Sequence, residues 1–230
     1  MMNAPLTTAP TTLGWYGKIP AAGDFVSRQL PYPLVRAWER WMQNGLSQLQ
    51  QTSPDMLPRH YAVAPIWNFI LPAGLGFDCV QMGSLAPSCD RVGRYFPLLA
   101  VMQTPLDQFD GALLDRAGPA YQQMGNTLLA AIRHGHSPEH LDAQLATVPT
   151  RPQPTAAGAD ILDILQAPAS ARGLSPAWPD LSLYFDAAGV TSFWWTHQGD
   201  GSPLQSQAHT GELTHGLFAR LFGPQQGYLA

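Results

Sequence analysis

At 230 residues the chain is long enough to form one large domain or two small ones around a buried core. Only 12% of its residues are charged and the net charge is −4, which excludes a basic surface for nucleic acid. No apolar run approaches the roughly 18 residues of a membrane-spanning helix, and two cysteines are too few for a disulfide framework.

The N-terminal residues predict a tail followed by a strand. Residues 1–12 are small, polar and aperiodic, so we expect a mobile tail ahead of a single domain at residues 13–230. They contain no basic segment followed by an apolar core, so we expect a cytoplasmic protein. Residues Leu13–Pro20 predict a short strand ending in a turn. Gly17 and Lys18 do not form a phosphate loop, because Ile19 and Pro20 follow where that motif needs Ser or Thr.

An amphipathic helix is predicted over Pro33–Leu49. Its apolar residues recur at helical spacing and charged residues occupy the other side. Trp38 and Trp41 lie on the apolar stripe, so we interpret them as core residues and not as a cofactor platform.

Three apolar runs predict an antiparallel meander. They are Tyr61–Leu71, Phe77–Leu85 and Tyr95–Gln103, and a connection of hairpin length joins the first two. Pro65 falls inside the first run and indicates an edge strand or a bulge.

Helical patterns follow the meander. The stripe over Asp110–Gly135 is interrupted at Gly118–Pro119, which must kink or split the helix. Ser137 is a predicted N-cap, with Pro138 at the first helical position of a short helix that stops at Pro149. The connector Thr150–Ala159 is the place for a subdomain boundary, if one exists.

The C-terminal part predicts a helix, a hairpin and a helix. The segments are a short helix at Ile161–Gln166, strands at Leu181–Phe185 and Val190–Thr196, and a last helix that ends at Gly223. This hairpin is expected to extend the first sheet. The element order predicts an α+β layer fold with a mainly antiparallel sheet.

The stretch Pro87–Pro97, here called the Asp90 loop, concentrates charge between two apolar strands. Arg91 and Arg94 offer fork-shaped donors for a carboxylate or phosphate, and Gly93 permits a turn with positive φ. In one interpretation Asp90 and Arg94 pair and hold the loop together between its two prolines. In the other, the loop recognises a partner, with Arg91 facing outward.

Candidate metal ligands and nucleophiles are few. His134, His136 and His140 cluster near a helix end, but their spacing matches no specific metal motif, so no metal or other cofactor is predicted. Cys89 neighbours arginines, yet no histidine lies near it in sequence, and we interpret it as a small residue at the loop entrance. No residue is predicted to be catalytic.

Several motifs follow one another in a specific order. They are Gly17–Phe25, the helix with Trp38 and Trp41, Pro65–Phe69 and Pro87–Pro97. Over roughly Gly14–Gln103 the chain therefore resembles the TagF family, accessory proteins encoded with bacterial type VI secretion systems, in which these motifs occur in the same order. Ser192–Thr196 also looks like the family's later Trp-Trp segment. Cys89 departs from the small aliphatic residue expected there.

The resemblance implies both a fold and a function. It implies a longin-like or profilin-like fold, in which helices flank an antiparallel sheet on both faces. It also implies a cytoplasmic, non-enzymatic regulator that represses the secretion apparatus after translation through a forkhead-associated scaffold protein. Some relatives carry a fused phosphatase domain, for which this chain is too short.

Three hypotheses about function remain open. In the first, the chain is a binding module for a secretion-system component. Its binding residues are Lys18, Asp24, Asp90, Arg91 and Arg94, and Gly23, Pro87, Ser88, Gly93 and Pro97 shape the loops. The second is a phosphoester-handling enzyme or phosphate-binding module that uses Asp90, Arg91 and Arg94. The third is a structural part of the secretion machine.

Overall fold

An antiparallel sheet forms the centre of the molecule. The computed structural model describes residues 11–53, 55–150, 178, 180–197 and 203–224. Within these residues seven strands lie in the order β2-β1-β5-β4-β3-β6-β7. The strands are β1 (Thr12–Gly17), β2 (Val26–Arg28), β3 (Trp67–Leu71), β4 (Cys79–Ala86), β5 (Leu98–Pro105), β6 (Thr191–His197) and β7 (Pro203–Thr210).

Helices cover both faces of this sheet, as the predicted fold class requires. They are α1 (Tyr32–Thr52), α2 (Met56–Arg59), α3 (Gly111–Asp115), α4 (Gly118–His134), α5 (Pro138–Leu145), α6 (Leu181–Tyr184) and α7 (His215–Phe222). Short 3-10 turns occur at Tyr61–Val63, Ala73–Leu75 and Leu106–Gln108.

One face of the sheet packs against α4 and its neighbours. Tyr121, Met124 and Leu128 of α4 are fully buried in a core cluster with Ile70 of β3 and Met82 of β4. These side chains recur at the spacing of one helical face, so α4 covers the sheet with a single apolar stripe.

The opposite face packs against α1 and α7 through aromatic rings. The ring centroids of Trp38 and Phe69 of β3 are 4.9 Å apart, and those of Trp41 and Phe218 of α7 are 5.4 Å apart. Trp194 of β6 also belongs to this cluster, with its ring centroid 5.1 Å from that of Phe69. The prediction that both tryptophans of α1 are core residues is therefore confirmed.

The meander β3-β4-β5 is present, with one correction to its first strand. Residues Tyr61–Val63 form a 3-10 turn and β3 begins only at Trp67, so Pro65 lies before the strand. β3 pairs with both β4 and β6, and the prediction of an edge strand or bulge was wrong. Proline lacks the N–H that a central strand needs, which is why pairing starts after it.

The C-terminal hairpin extends the sheet, but only its first strand, β6, matches a predicted strand, Val190–Thr196. Leu181–Tyr184 is the helix α6, because Leu181 and Phe185 are buried together at a helical spacing of four. The strand β6 pairs instead with β7, which was not predicted, and β6 joins the sheet at β3.

The predicted break at Gly118–Pro119 and the predicted N-cap at Ser137 are both present. The Asp110 carboxylate caps α3, Pro119 lies in the first turn of α4, and the Ser137 hydroxyl caps α5. The helical stripe is thus split at Gly118 as predicted, whereas α5 ends at Leu145, before the predicted Pro149.

Some predictions lie outside the described residues. These are the helix Ile161–Gln166, the connector beyond Thr150 and the first ten residues of the tail. Among the residues described, no helix is both long enough and apolar enough to cross a membrane.

Candidate functional site

The Asp90 loop joins β4 to β5 and is closed by its own backbone. Cys89 and Tyr95 form an isolated antiparallel bridge at its neck. The Asp90 N–H donates to the Arg94 carbonyl at 3.1 Å, and the Gly93 N–H donates to the Asp90 carbonyl at 2.9 Å. Gly93 has φ +83°, so the turn with positive φ predicted from the sequence is present.

The Asp90 carboxylate lies at the centre of the loop. Its Oδ1 accepts the backbone N–H groups of Val92 at 3.1 Å and Arg94 at 2.9 Å. Its Oδ2 accepts Lys18 Nζ at 2.9 Å and Arg94 Nε at 2.6 Å. Asp90 is only 1% exposed, so these four donors replace the water that the carboxylate has lost.

The electrostatics of Asp90 favour its ionised form. Burial by itself opposes ionisation, but the hydrogen bonds from Lys18 and Arg94 outweigh burial and hold the pKa of the Asp90 carboxyl well below its usual range. The carboxylate is therefore charged at neutral pH, and the Lys18 ammonium beside it has a buried counterion.

Ser88 attaches the base of the loop to two other segments. Its hydroxyl donates to the Lys18 carbonyl at 2.7 Å, and its N–H donates to the Tyr61 hydroxyl at 3.0 Å. At the other end of the loop, a Cβ on Gly17 would lie 2.1 Å from the Pro97 carbonyl oxygen. Only glycine allows β1 to approach Pro97 this closely.

The turn after β1 lies directly against the loop. The Arg91 N–H donates to the Ala22 carbonyl at 2.9 Å, and Arg94 Nη2 donates to the Gly23 carbonyl at 2.8 Å. The structure therefore brings the two segments containing the predicted site residues together.

The five predicted binding residues do not lie at the same depth. Arg91, Arg94 and Asp24 are exposed, whereas Lys18 and Asp90 are buried beneath them. We call this set the loop face. Among the described residues no hydrogen bond or ion pair engages the Arg91 side chain, and its neighbour Val92 is 70% exposed.

The chain matches one known family over more than half of its length. A family model described as the TagF N-terminal domain, type VI secretion system-associated, matches residues 14–148. The chain belongs to the TagF family. It is thus a protein associated with type VI secretion.

Membership in the TagF family agrees with a comparison of solved structures. The crystal structure of PA0076 from Pseudomonas aeruginosa PAO1 is 25% identical, with a TM-score of 0.67. The match covers 95% of this chain and 97% of PA0076, so the similarity extends beyond the family match into the C-terminal hairpin. No curated protein matches.

The cysteine at the entrance of the Asp90 loop is not activated. Cys89 and Cys79 are free and partly buried thiols. Burial raises the pKa of Cys89, and the Asp90 carboxylate raises it further. The thiol is therefore protonated at neutral pH, which opposes a role as nucleophile.

The three histidines do lie together at the end of α4. The His136 ring is 4.3 Å from the His140 ring and 5.8 Å from the His134 ring. Burial and these two neighbours lower the pKa of His136. In the part of the chain that the structure describes, no group of three or more His, Cys, Asp or Glu side chains could hold a metal ion.

Two residues that support the Asp90 loop were not identified from the sequence. Tyr61 was assigned to a strand, yet its hydroxyl holds Ser88. Phe25 was not selected, although its ring lies 4.8 Å from Lys18 Nζ and 4.7 Å from the Phe96 ring. An aromatic residue directly after the charged turn was the available signal for Phe25.

Proposed function

We propose that this chain is a cytoplasmic repressor of a type VI secretion system that acts after translation. It works by binding a component of the apparatus, a forkhead-associated scaffold protein, through the loop face. The family match to a type VI secretion-associated domain supports the setting of this proposal.

The observation that carries the proposal is the construction of the Asp90 loop. Four hydrogen bonds to the buried Asp90 carboxylate fix the loop from inside. The fixed backbone presents Arg91 and Val92 to solvent. A rigid loop loses little conformational entropy on binding, and an exposed arginine beside an apolar residue is typical of a protein interface.

The same geometry argues against the enzymatic alternative. Both Asp90 oxygens already accept hydrogen bonds from within the protein, and the carboxylate is held in its ionised form. An acid or base catalyst must instead exchange a proton near the working pH. We therefore propose a non-enzymatic role in which Asp90 supports the loop.

Affinity capture from the native cells tests the proposal. Arg91→Glu reverses an exposed charge without touching the buried ion pair, so we expect a folded protein that no longer captures the scaffold. Arg116→Glu is the matched control. Arg116 is an exposed arginine that follows α3, beyond the end of β5 remote from the Asp90 loop. It is expected to capture as wild type does.

The other outcomes are distinct. Equal capture by wild type and Arg91→Glu would remove the loop from the interface. Capture of the whole assembled apparatus in stoichiometric amounts would support a structural part of the machine. Failure of the wild type to capture any secretion component would overturn the proposal.

A further inference from the structure

A pocket of about 430 Å³ opens at the loop face, between α1, α2 and the Asp90 loop. Buried side chains form its apolar part, namely Leu46 of α1, Leu57 of α2 and Phe96 of the loop. The volume of the pocket suits one or two side chains of a bound segment, and its apolar part favours an apolar side chain.

Two cations line the same pocket. Lys18 is only 6% exposed, and among the described residues its Nζ makes a single hydrogen bond, to Asp90. Arg94 uses Nε and Nη2 within the protein, and no described residue accepts from its Nη1. Donors on both side chains are therefore left for an acceptor that enters the pocket.

The local charge defines that acceptor. Lys18 and Arg94 contribute two positive charges, and Asp90 removes one, in a chain whose net charge is −4. Arg91 does not line the pocket. One carboxylate would neutralise the remaining charge, whereas a phosphate dianion would place excess negative charge beside Asp90.

The wall of the pocket on α1 carries no charge. Gln43, Ser47 and Gln50 line it at successive helical turns, and no charged residue occurs over Trp41–Ser53. Depletion of charge around a central anchor is the composition of an interface core.

We infer that this pocket receives a segment of the partner protein that carries an aspartate or glutamate next to an apolar side chain. The carboxylate binds Lys18 and Arg94, and the apolar side chain packs on Leu46 and Leu57. This inference rests on the proposed function, because it specifies how the partner binds at the loop face.

Filling the pocket tests its use. Ser47→Trp places a large ring in the pocket from an exposed position on α1, and we expect scaffold capture to fall about tenfold or more. Gln48→Trp is the matched control, because Gln48 is the next exposed residue on the same helix and does not line the pocket. Unchanged capture by a folded Ser47→Trp variant would overturn the inference.

Cross-linking tests the chemistry of the bound segment and does not depend on the tryptophan variant. A photoreactive benzoylphenylalanine replaces Gln48, where a large ring leaves the pocket open, and is cross-linked in cells. The attached peptide is identified by mass spectrometry. We expect an Asp or Glu within three residues of the cross-link, next to an apolar residue. A phosphorylated segment, or one without an acidic residue, would overturn the inference.

The two proposals fail in different ways. If wild type captures no secretion component, both fall. If wild type captures the scaffold and Arg91→Glu does not, but Ser47→Trp still does, only the pocket is excluded.

Discussion

Asp90 is the residue on which the conformation of the Asp90 loop depends most. Asp90→Asn keeps the shape of the side chain but leaves the Lys18 ammonium buried without a counterion. We expect the free energy of unfolding in urea to fall by about 3 kcal/mol, since removing one partner of a buried pair is costly. Arg94 contributes little to this loss because its side chain is 61% exposed and screened by water.

The control for this substitution is Asp24→Asn, because Asp24 is an exposed carboxylate on the same face. Its effect on unfolding should stay within about 0.5 kcal/mol. If Asp90→Asn were equally mild, the ion pair would not support the loop.

The pH dependence of stability gives a second readout for Asp90. The pKa of Asp90 is lower in the folded state than in the unfolded state, where it is about 3.9. Asp90 therefore adds its full share to the free energy of unfolding above about pH 3.9, and that share is lost as the pH falls further. The difference in unfolding free energy between wild type and Asp90→Asn should therefore narrow from about pH 5 to pH 3. A constant difference over this range would contradict the assignment.

At the scale of single residues, the sequence predicts ion pairs between residues close together in the chain but not between distant ones. Asp90 and Arg94 are four residues apart within one turn, and their ion pair could be predicted from spacing alone. Lys18 reaches Asp90 across 72 residues. That contact depends on the pairing of β1 with β5, which no local pattern in either segment specifies.

The crossing of α1 and α7 depends on a glycine. A Cβ on Gly45 would lie 2.2 Å from Cγ of Phe218. Gly45→Ala should lower the free energy of unfolding by about 1–3 kcal/mol through overpacking, although alanine is the better helix former. Thermal unfolding measures this, with Asn44→Ala as the exposed neighbour for comparison. If Gly45→Ala were as stable as wild type or more stable, α1 and α7 would be able to move apart enough to accept the extra methyl group without cost.

Elements could be predicted where the apolar pattern is strong. The α1 helix was found because its buried residues follow the helical period, and the strands β4 and β5 were found because they form nearly continuous buried runs. The strand β7 contains mostly small and polar side chains, and its conformation is imposed by pairing with β6. The run Tyr61–Leu71 was overextended, since burial of Tyr61 in a 3-10 turn resembles burial in a strand.

At the scale of the whole molecule, contacts join the residues inside the family match to residues that follow it in the chain. The match ends at residue 148, but β6 pairs with β3 and α7 packs on α1. A fragment of residues 14–148 would leave Phe69 and Trp41 without Trp194 and Phe218. We expect this fragment to lack the dispersed NMR spectrum of the full chain.

The full chain, labelled and measured under the same conditions, is the reference for that spectrum. We expect it to unfold in one cooperative transition, with tryptophan fluorescence and far-ultraviolet circular dichroism changing together. A fragment that melts cooperatively by itself would instead make residues 14–148 an independent domain.

The late position of β6 and α7 in the chain has a consequence for synthesis on the ribosome. Two of the aromatic partners of α1, Trp194 and Phe218, are synthesised only near the end of the chain. At about 5–20 residues per second, β3 waits about 8–30 s for the chain to reach α7. During this interval the nascent protein exposes a strip of tryptophan and phenylalanine side chains, so we expect it to be prone to aggregation until its synthesis is complete.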